Sequence, residues 1–377
     1  MIYFDNAATS KPSEVALKEF ERVSACAYGN ANSTHAFGYL ANRELEKARA
    51  SVLQDLHIAG THKLLFLSGA SEANNLALKG VAFRYQNRGK RIISFAGEHP
   101  SVLSALEQLR DSFGFDVVIL PLTKEGKADL KALEEALDKN TILVSAMAAN
   151  NETGAINDVV SISNMLKAFP KAYLHVDATQ AVGKLPFSYG AADLITFSAH
   201  KFGGLKGNGG LAYRKNISFL PLVSGGEQES GIRGGTVDVA GASAMAAALH
   251  DATNKMKEHI EKMTILRDYL KKSLQKYDEI VPNSPEDASP YIYNFSFLRH
   301  KASVVVEALS ERDIYVSSVS ACSSHGEPAS KVLLAMGVPL RQAQNPIRVS
   351  MSVDDDEKTI DAFVEALGKI LEEVRPL

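Results

Sequence analysis

A primary amine and a carboxylate follow two neighbouring apolar runs in the middle of the chain. The runs, 172–176 and 193–197, have the length and β-branched content of buried strands. Asp177 comes directly after the first run, and Lys201 comes shortly after the second. The other polar side chains that follow these runs are Gln180, Ser198 and His200. Because an open α/β sheet binds ligands at the carboxyl ends of its strands, we expect these groups to share one site.

Pyridoxal phosphate chemistry requires this pair of functional groups. Its lysine forms a Schiff base with the cofactor's aldehyde, and its carboxylate pairs with the pyridine nitrogen, which keeps the ring an electron sink. The alternative is that Asp177 only caps a strand end and that Lys201 is a solvated lysine. For an isolated pair the alternative would be favoured, so the prediction depends on the other motifs.

A phosphate site is predicted in the motif SGASEANNLALKG. The apolar run 64–67 indicates a strand, 68–71 is a turn of small residues, and Glu72 begins a helical pattern. Backbone N–H groups and the positive end of the helix dipole point into such a turn, where Gly69, Ala70 and Ser71 would hold an anion. The same residues also fit a plain helix cap by Ser71.

Two more polar residues follow predicted strands. His99 follows the strand 92–95, and Asn151 follows the strand 141–147. His99 could lie flat on a cofactor ring and transfer protons, or it could be a packed or capping residue. Arg348, in the strand-like IRVSM, could bind a substrate carboxylate or could pair with a surface acid.

Two loops are candidate binding segments. YGNANSTH, which contains Asn30, is small and polar like a substrate-contacting loop. The glycine-rich segment 224–238 is either a plain surface loop or a segment that lies along a ligand or a second subunit.

The two cysteines have different surroundings, and two cannot form a disulfide framework or a multi-cysteine zinc site. Cys26 follows Val15, Leu17, Phe20 and Val23 in an apparent amphipathic helix and is expected in the core. Cys322 lies in SSVSACSSHGEP, which has no helical or strand period and is typical of an exposed loop.

Composition excludes several classes of protein. A chain of 377 residues with 45% hydrophobic content can bury a large core, and one large and one smaller domain are expected. The net charge of −3, without long single-sign runs, indicates neither nucleic acid nor an anionic membrane as a partner. No apolar run is long enough for a membrane span, and MIYFDNAATSKP lacks a signal pattern, so a cytoplasmic location is expected.

The order of elements predicts an α/β fold. Strand, loop and helix recur from residue 63 to residue 200, which favours a mainly parallel sheet flanked by helices. A long helical region, 239–277, then leads to the proline-rich linker VPNSPEDASP. The following strands and helices, including IYVS and PASKVLLAM, are typical of a small α+β domain.

Eight motifs in this order resemble those of the cysteine desulfurases, in the class V aminotransferase group with the fold-type I pyridoxal phosphate architecture. They are SGASEANNLALKG, EHPSV, NNETG, HVDATQ, SAHK, RGGT, SACSS and IRVS. The resemblance implies a seven-stranded, mainly parallel sheet in a large domain over 13–258. It implies a smaller α+β domain, made of 1–12 and 259–377, that carries the cysteine loop.

The resemblance also implies a role for each candidate residue. Lys201 is the Schiff-base lysine, Asp177 contacts the pyridine nitrogen, and His99 stacks on the ring. The residues near the ring hydroxyl are Asn151 and Gln180. The phosphate ligands are Ala70, Ser71, Ser198 and His200, with Thr236 from the partner subunit of a homodimer. The substrate carboxylate ligands are Asn30 and Arg348.

The implied reaction converts L-cysteine to L-alanine. Cys322 attacks the substrate sulfur and becomes a persulfide, which acceptor proteins for iron–sulfur clusters or tRNA thiolation collect. The alternatives are a selenocysteine lyase or another class V enzyme, and a non-catalytic sulfur-relay scaffold. Ser71 stands where the family often has threonine, and the segment after Cys322 is about one residue shorter than in long-loop members, which leaves the acceptor open.

Overall fold

The fold is taken from a computed structural model, which describes residues 1–318 and 329–376. The predicted nucleophile Cys322 lies outside the described residues. The strands within these ranges are β1 (Ile2–Tyr3), β2 (His62–Leu67), β3 (Arg91–Phe95), β4 (Asp116–Leu120), β5 (Thr141–Met147), β6 (Tyr173–Asp177), β7 (Leu194–Ser198), β8 (Gly209–Arg214), β9 (Ile280–Pro282), β10 (Ile292–Phe297), β11 (Ile314–Tyr315), β12 (Ser317–Ser318) and β13 (Pro346–Ser350).

The α-helices of the same ranges are α1 (Glu14–Cys26), α2 (Ala36–Asp55), α3 (Ala70–Asn75), α4 (Val81–Tyr85), α5 (Pro100–Phe113), α6 (Leu130–Ala136), α7 (Val159–Leu166), α8 (Val239–Asn254), α9 (Met256–Leu274), α10 (Ala302–Ser310), α11 (Lys331–Ala335), α12 (Leu340–Ala343) and α13 (Glu357–Glu373). A π-helical turn, Leu76–Gly80, joins α3 to α4 without a break. Within the described ranges, no helix combines the length and the apolar character needed to cross a bilayer.

Seven strands form the large sheet, in the order β2, β8, β7, β6, β5, β3, β4. The neighbours from β7 to β4 pair in parallel, whereas β8 is antiparallel to both β7 and β2. The predicted seven-stranded, mainly parallel sheet is therefore confirmed. Burial on both faces explains the uninterrupted apolar sequences of its strands, and all of TILVSAM in β5 is buried.

The parallel pairing of the central strands brings their carboxyl ends to one edge of the sheet. Asp177 is the last residue of β6 and Ser198 the last of β7. A single 3-10 turn, Ala199–Lys201, follows β7 directly, and His99 begins α5 after β3. This edge is where the polar groups singled out in the sequence come together.

The C-terminal third forms two smaller sheets. One is antiparallel, in the order β12, β13, β10, β9, and the other is the parallel pair of β1 and β11. The N-terminal strand thus pairs with the C-terminal part of the chain, and Asp5 bridges to Ser350 of β13. The exact division into domains stays a prediction.

The expectation that Cys26 lies in the core was wrong. Cys26 is exposed, and so are Val15, Leu17 and Phe20 of the same helix. The buried side of α1 is formed instead by Ala16 and Val23, and it continues into Ala27. These three follow the i, i+7, i+11 spacing of one helical face, which leaves Cys26 on another face.

The predicted long helical region 239–277 is formed by two helices, α8 and α9, which meet at Lys255.

Candidate active site

A cavity of about 340 Å³ opens at the carboxyl edge of the large sheet. Its lining is Ala7, Ala8, Ala70, Ser71, His99, Ser101, Met147, Ala149, Asn151, Asp177, Thr179, Gln180, Ser198, His200, Lys201 and Arg348. Most of the residues singled out in the sequence therefore lie around one space, although they come from distant parts of the chain.

Lys201 presents a buried amine to this cavity. Its Nζ donates to the carbonyl oxygens of Ala7 and Ala8, each 2.7 Å away. Burial, together with the nearby Arg348 cation, lowers the pKa of the Lys201 ammonium to about 8. A much larger fraction of the amine is therefore neutral and nucleophilic near pH 7 than in a solvated lysine.

Asp177 supplies a carboxylate held by donors on both oxygens. Its Oδ1 accepts from the backbone N–H of Thr179 at 3.0 Å, and its Oδ2 accepts from the Asn74 amide at 2.9 Å. A carboxylate fixed in this way beside the cavity is suited to a protonated heterocyclic nitrogen.

An anion site forms where β2 meets α3. The N-cap of α3 is Gly69, which makes no side-chain capping bond, so the alternative that Ser71 is the cap is wrong. The N–H of Ala70 donates to Ser198 Oγ at 2.7 Å, which places that hydroxyl beside the turn. The backbones cross closely here, because a Cβ added to Gly209 would lie 2.5 Å from the Cα of Gly69.

His200 lies beside the same turn. Burial and three lysine cations lower the pKa of His200 to about 4, so its imidazole is neutral at physiological pH. Its Nδ1 lies 3.1 Å from Thr9 Oγ1. A neutral imidazole adds a hydrogen-bonding group to the anion site without adding a charge.

His99 caps α5 and also faces the cavity, so both of its predicted roles are compatible with its position. Its Nδ1 accepts from the backbone N–H of Ser101 at 3.1 Å and lies 2.8 Å from Ser101 Oγ. Burial lowers the pKa of His99, against the opposing effect of Asp177. An imidazole at this position can exchange protons with a ligand in the cavity.

Arg348 joins the small sheet to the cavity. Its guanidinium donates to Asp5 Oδ1 at 2.7 Å, to Ser317 Oγ at 3.1 Å and to the carbonyl of Asn151 at 2.9 Å. Its buried Nε has no partner among the described residues. Arg348 is therefore paired with an acid, as one interpretation of the sequence had it, and still has a donor left for another anion.

The Gln180 amide is fixed at both ends. Its Nε2 donates to the carbonyl of Ala7 at 2.9 Å, and its Oε1 accepts from Lys184 Nζ at 3.3 Å. Burial lowers the pKa of Lys184 to about 7. Lys184 was not predicted as a site residue, although it lies only a few positions after Gln180, the last residue of the motif HVDATQ.

Two further residues near Asp177 were also not predicted from the sequence. Glu98 is buried, and burial together with the Asp177 charge raises the pKa of its carboxyl group to about 8. Asn74 is buried on α3 and contacts Asp177 directly. Both lie in motifs noted in the sequence, EHPSV and SGASEANNLALKG, but only neighbouring residues of these motifs were predicted to belong to the site.

Two of the remaining candidates, Asn30 and Thr236, do not line the cavity. Asn30 is exposed in the loop between α1 and α2, where its Oδ1 accepts from the N–H of Asn32 at 2.9 Å. Thr236 is exposed on the glycine-rich segment. Cys322 lies outside the described residues. The roles of these three residues stay predictions.

Known proteins resemble the chain over nearly its full length. Residues 2–363 match the family model described as aminotransferase class-V. The protein is 36% identical to a "NifS/IcsS protein homolog" of Lactobacillus delbrueckii subsp. bulgaricus, with 98% of this chain and 97% of that protein covered. It is also 36% identical to the "Cysteine desulfurase IscS" of Dictyoglomus turgidum, with 100% and 96% covered.

Solved structures agree with these relatives. A "NifS-like protein" superposes with a TM-score of 0.92 at 36% identity and covers 99% of this chain and 100% of its own. The structure titled "SspA in complex with cysteine" superposes with a TM-score of 0.79 at 28% identity, with 93% and 99% covered. From the family match, the full-length relatives and the shared fold, we conclude that the chain belongs to the aminotransferase class-V family.

Proposed function

We propose that the protein is a pyridoxal phosphate-dependent cysteine desulfurase, which converts L-cysteine to L-alanine and transfers the sulfur to Cys322 as a persulfide. The observation that carries the proposal is that the Lys201 amine and the Asp177 carboxylate face one cavity. The relatives named cysteine desulfurase and the neighbour that binds cysteine support the choice of substrate.

The residues present fit the cofactor. A cavity of about 340 Å³ is within the usual range for small-molecule sites. It offers an amine of lowered pKa for the aldehyde, a carboxylate for the ring nitrogen, and a helix N-terminus for the phosphate. The phosphate ligands would be Ala70, Ser71, Ser198 and His200, and the ligands near the ring hydroxyl would be Asn151 and Gln180. When bound, pyridoxal phosphate supplies an electron sink for the bond broken at the substrate α-carbon.

Proton handling falls to two residues of this chain. With a pKa of about 8, the Lys201 amine can take up a proton at Nζ and release it again near neutral pH. The His99 imidazole, which also lines the cavity, can exchange protons with the substrate thiol. The Asp177 carboxylate is held in place by two hydrogen-bond donors.

Arg348 is proposed to orient the substrate. Its second N–H on Nη1 can bind a carboxylate while Asp5 and Ser317 hold Nη2 and fix the guanidinium plane. Asn30 is proposed as a second ligand of the same carboxylate. Ser317, which precedes the segment of Cys322, lies opposite Arg348 in the sheet. The described chain thus leads into the cysteine segment from beside the proposed carboxylate site.

We propose further that the protein is a homodimer. Thr236 is exposed, and it lies on a segment that adjoins the exposed apolar side chains of Leu220, Leu222 and Val223. Val223 bridges to Arg233, so the apolar residues and the segment of Thr236 form one surface. Burial of this surface against a second copy would bring Thr236 to the partner's phosphate. Sulfur-acceptor proteins, such as an iron–sulfur scaffold or a tRNA-thiolation protein, are proposed as further partners.

The test is an assay of the purified protein with pyridoxal phosphate, L-cysteine and a reductant, scored for alanine and sulfide. We expect equal amounts of both products. The Cys322→Ala variant should keep the cofactor's visible absorption but lose desulfuration. If this variant keeps full activity, the cysteine mechanism is wrong and another class V reaction is indicated. If the wild type gains no visible absorption band with pyridoxal phosphate, the scaffold alternative is favoured.

A further inference from the structure

Asn74 is the centre of a buried hydrogen-bond network behind the cavity. Its side chain is completely buried on α3. Its Nδ2 lies 2.9 Å from Asp177 Oδ2 and 2.9 Å from Ser101 Oγ, and its Oδ1 lies 2.5 Å from Thr196 Oγ1. One amide therefore contacts the end of β6, the start of α5 and the middle of β7.

The chemistry of these neighbours fixes the direction of each bond. An ionised carboxylate only accepts hydrogen bonds, so the amide nitrogen of Asn74 must face Asp177. The second N–H of that nitrogen is then donated to Ser101 Oγ, and the amide oxygen accepts from the Thr196 hydroxyl. All three polar functions of the amide are used.

Ser101 connects Asn74 to His99. His99 Nδ1 accepts from the backbone N–H of Ser101, so in the neutral imidazole the proton is on Nε2. Ser101 Oγ accepts from Asn74 and keeps its own proton for the same Nδ1, 2.8 Å away. His99 is thereby held with Nδ1 as a double acceptor.

The bond to Thr196 is set from the opposite side by His175. Burial lowers the pKa of His175 to about 4, so this residue is neutral. Its Nδ1 lies 2.8 Å from Ser145 Oγ and its Nε2 lies 3.1 Å from Thr196 Oγ1. With the proton on Nε2 donated to Thr196, the threonine hydroxyl has its own proton for Asn74.

We propose that Asn74 is a positioning residue for the proposed reaction, because its single amide orients the Asp177 carboxylate and, through Ser101 Oγ, directs a second hydrogen-bond donor to Nδ1 of His99. The inference rests on the proposed function, in which Asp177 contacts the ring nitrogen and His99 handles protons. The charged groups that face His99 are the Asp177 carboxylate and the Lys201 ammonium. A change at Asn74 therefore reaches His99 both through Ser101 and through Asp177.

The first test compares Asn74→Ala with Asn75→Ala. Asn75 is the next residue on the same helix, and its amide donates only to the carbonyl of Ser71 in the bonds described for it. The readouts are the dissociation constant of pyridoxal phosphate and the pH dependence of its visible absorption, both measured without turnover. Loss of a hydrogen bond to a charged group predicts cofactor binding weakened by about tenfold or more in Asn74→Ala, with a displaced pH midpoint. Equal values in the two variants would overturn the inference.

Ser101→Ala separates the two branches of the network and does not depend on Asn74→Ala folding. It keeps the bond between Asn74 and Asp177 but removes one donor to the neutral form of His99. Cofactor affinity is expected to fall less than in Asn74→Ala, while the pH limb of turnover assigned to His99 moves upward, since the neutral imidazole loses a hydrogen bond. An unchanged limb would refute the proposed link from Asn74 through Ser101 Oγ to His99.

The outcomes also separate this inference from the proposed function. If the wild type binds pyridoxal phosphate and desulfurates cysteine while both Asn74→Ala and Ser101→Ala behave like Asn75→Ala, only the inference about Asn74 is wrong. If the wild type binds no pyridoxal phosphate, the proposed function fails and the inference fails with it.

Discussion

The Nζ atom of Lys201 lies 2.7 Å from the carbonyl oxygen of Ala7, a residue that comes almost two hundred positions earlier in the chain. The N–H of Ala7 donates in turn to Ser350 Oγ at 2.9 Å, at the end of β13. Ala7 therefore connects the Lys201 amine, which follows strand β7 of the large sheet, to strand β13 of the small sheet. The position of the amine depends on how these two parts of the molecule pack.

Replacement of this amine tests the assignment of Lys201. Lys201→Ala is expected to abolish the visible absorption of the bound cofactor and to reduce desulfuration by several orders of magnitude, because no nucleophile is left for the aldehyde. Lys206→Ala is the matched control, since Lys206 is an exposed lysine on the same loop. Absorption spectra and alanine formation are measured for both. Retained absorption in Lys201→Ala would show that another amine binds the cofactor.

The lowered pKa of Lys201 predicts the pH dependence of cofactor capture. Only the neutral amine attacks an aldehyde, so the capture rate should rise about tenfold per pH unit up to about 8 and then level off. The Arg348 cation helps to lower this pKa. Arg348→Gln should therefore move the midpoint to higher pH, and Arg341→Gln, which replaces an exposed arginine, should not. Stopped-flow absorption at several pH values measures both. Equal midpoints in the two variants would contradict the electrostatic effect of Arg348.

The parallel sheet and most of the cavity lining were predictable from the sequence. Polar residues that directly follow buried strands are placed by the backbone alone, because the carboxyl ends of parallel strands meet at one edge. Asp177, Ser198 and His99 are of this kind, and the structure brings all three to the cavity. Arg348 does not follow a strand of the large sheet, because it lies within β13 of the small sheet. Its ion pair with Asp5 joins two segments that are distant in the sequence.

What the sequence could not predict depends on side-chain packing. The periodicity of the sequence predicted an apolar face on α1. Packing against α8 decides which side of the helix is buried, and Cys26 lies on the exposed side. Asn74 and Glu98 look like ordinary surface residues in a linear reading. Their importance comes from burial next to Asp177, which no local pattern reveals.

A buried ion pair between Arg49 and Glu229 predicts a stability defect. The side chain of Glu229 is 1% exposed, and its carboxylate accepts from Arg49 at 2.8 Å and from the N–H of Phe66 on the edge strand β2 at 2.9 Å. Glu229→Ala would leave Arg49 with only the more exposed Glu46 as an acidic partner and would leave the Phe66 N–H without its acceptor, so it is expected to cost about 2–3 kcal/mol of unfolding free energy. Glu227→Ala, at an exposed position on the same segment, should cost less than about 0.5 kcal/mol.

Urea denaturation of the two variants measures both values. The segment of Glu229 also carries Thr236, so a loosened segment should weaken the proposed dimer as well. Equal stability of Glu229→Ala and Glu227→Ala would mean that the ion pair contributes nothing and that the glycine-rich segment is held by other contacts.

Glu98 predicts how stability depends on pH. Burial, and then the Asp177 charge, raises the pKa of its carboxyl group from 4.5 to about 8. Between these values the folded protein keeps a proton that the unfolded chain releases, so the contribution of Glu98 to stability is complete below 4.5 and is lost as the pH rises through 8.

Glu98→Gln is neutral at every pH and has the shape of the protonated acid. Its unfolding free energy relative to wild type should therefore rise from pH 5 to pH 8, by about 1 kcal/mol or more. Urea unfolding of the cofactor-free proteins measures this difference, with the exposed Glu135→Gln as a control that should show none. A difference that stays constant with pH would mean that Glu98 is ionised in the folded protein, and that the Met147 N–H, which donates to its Oε1, is enough to hold a second carboxylate beside Asp177.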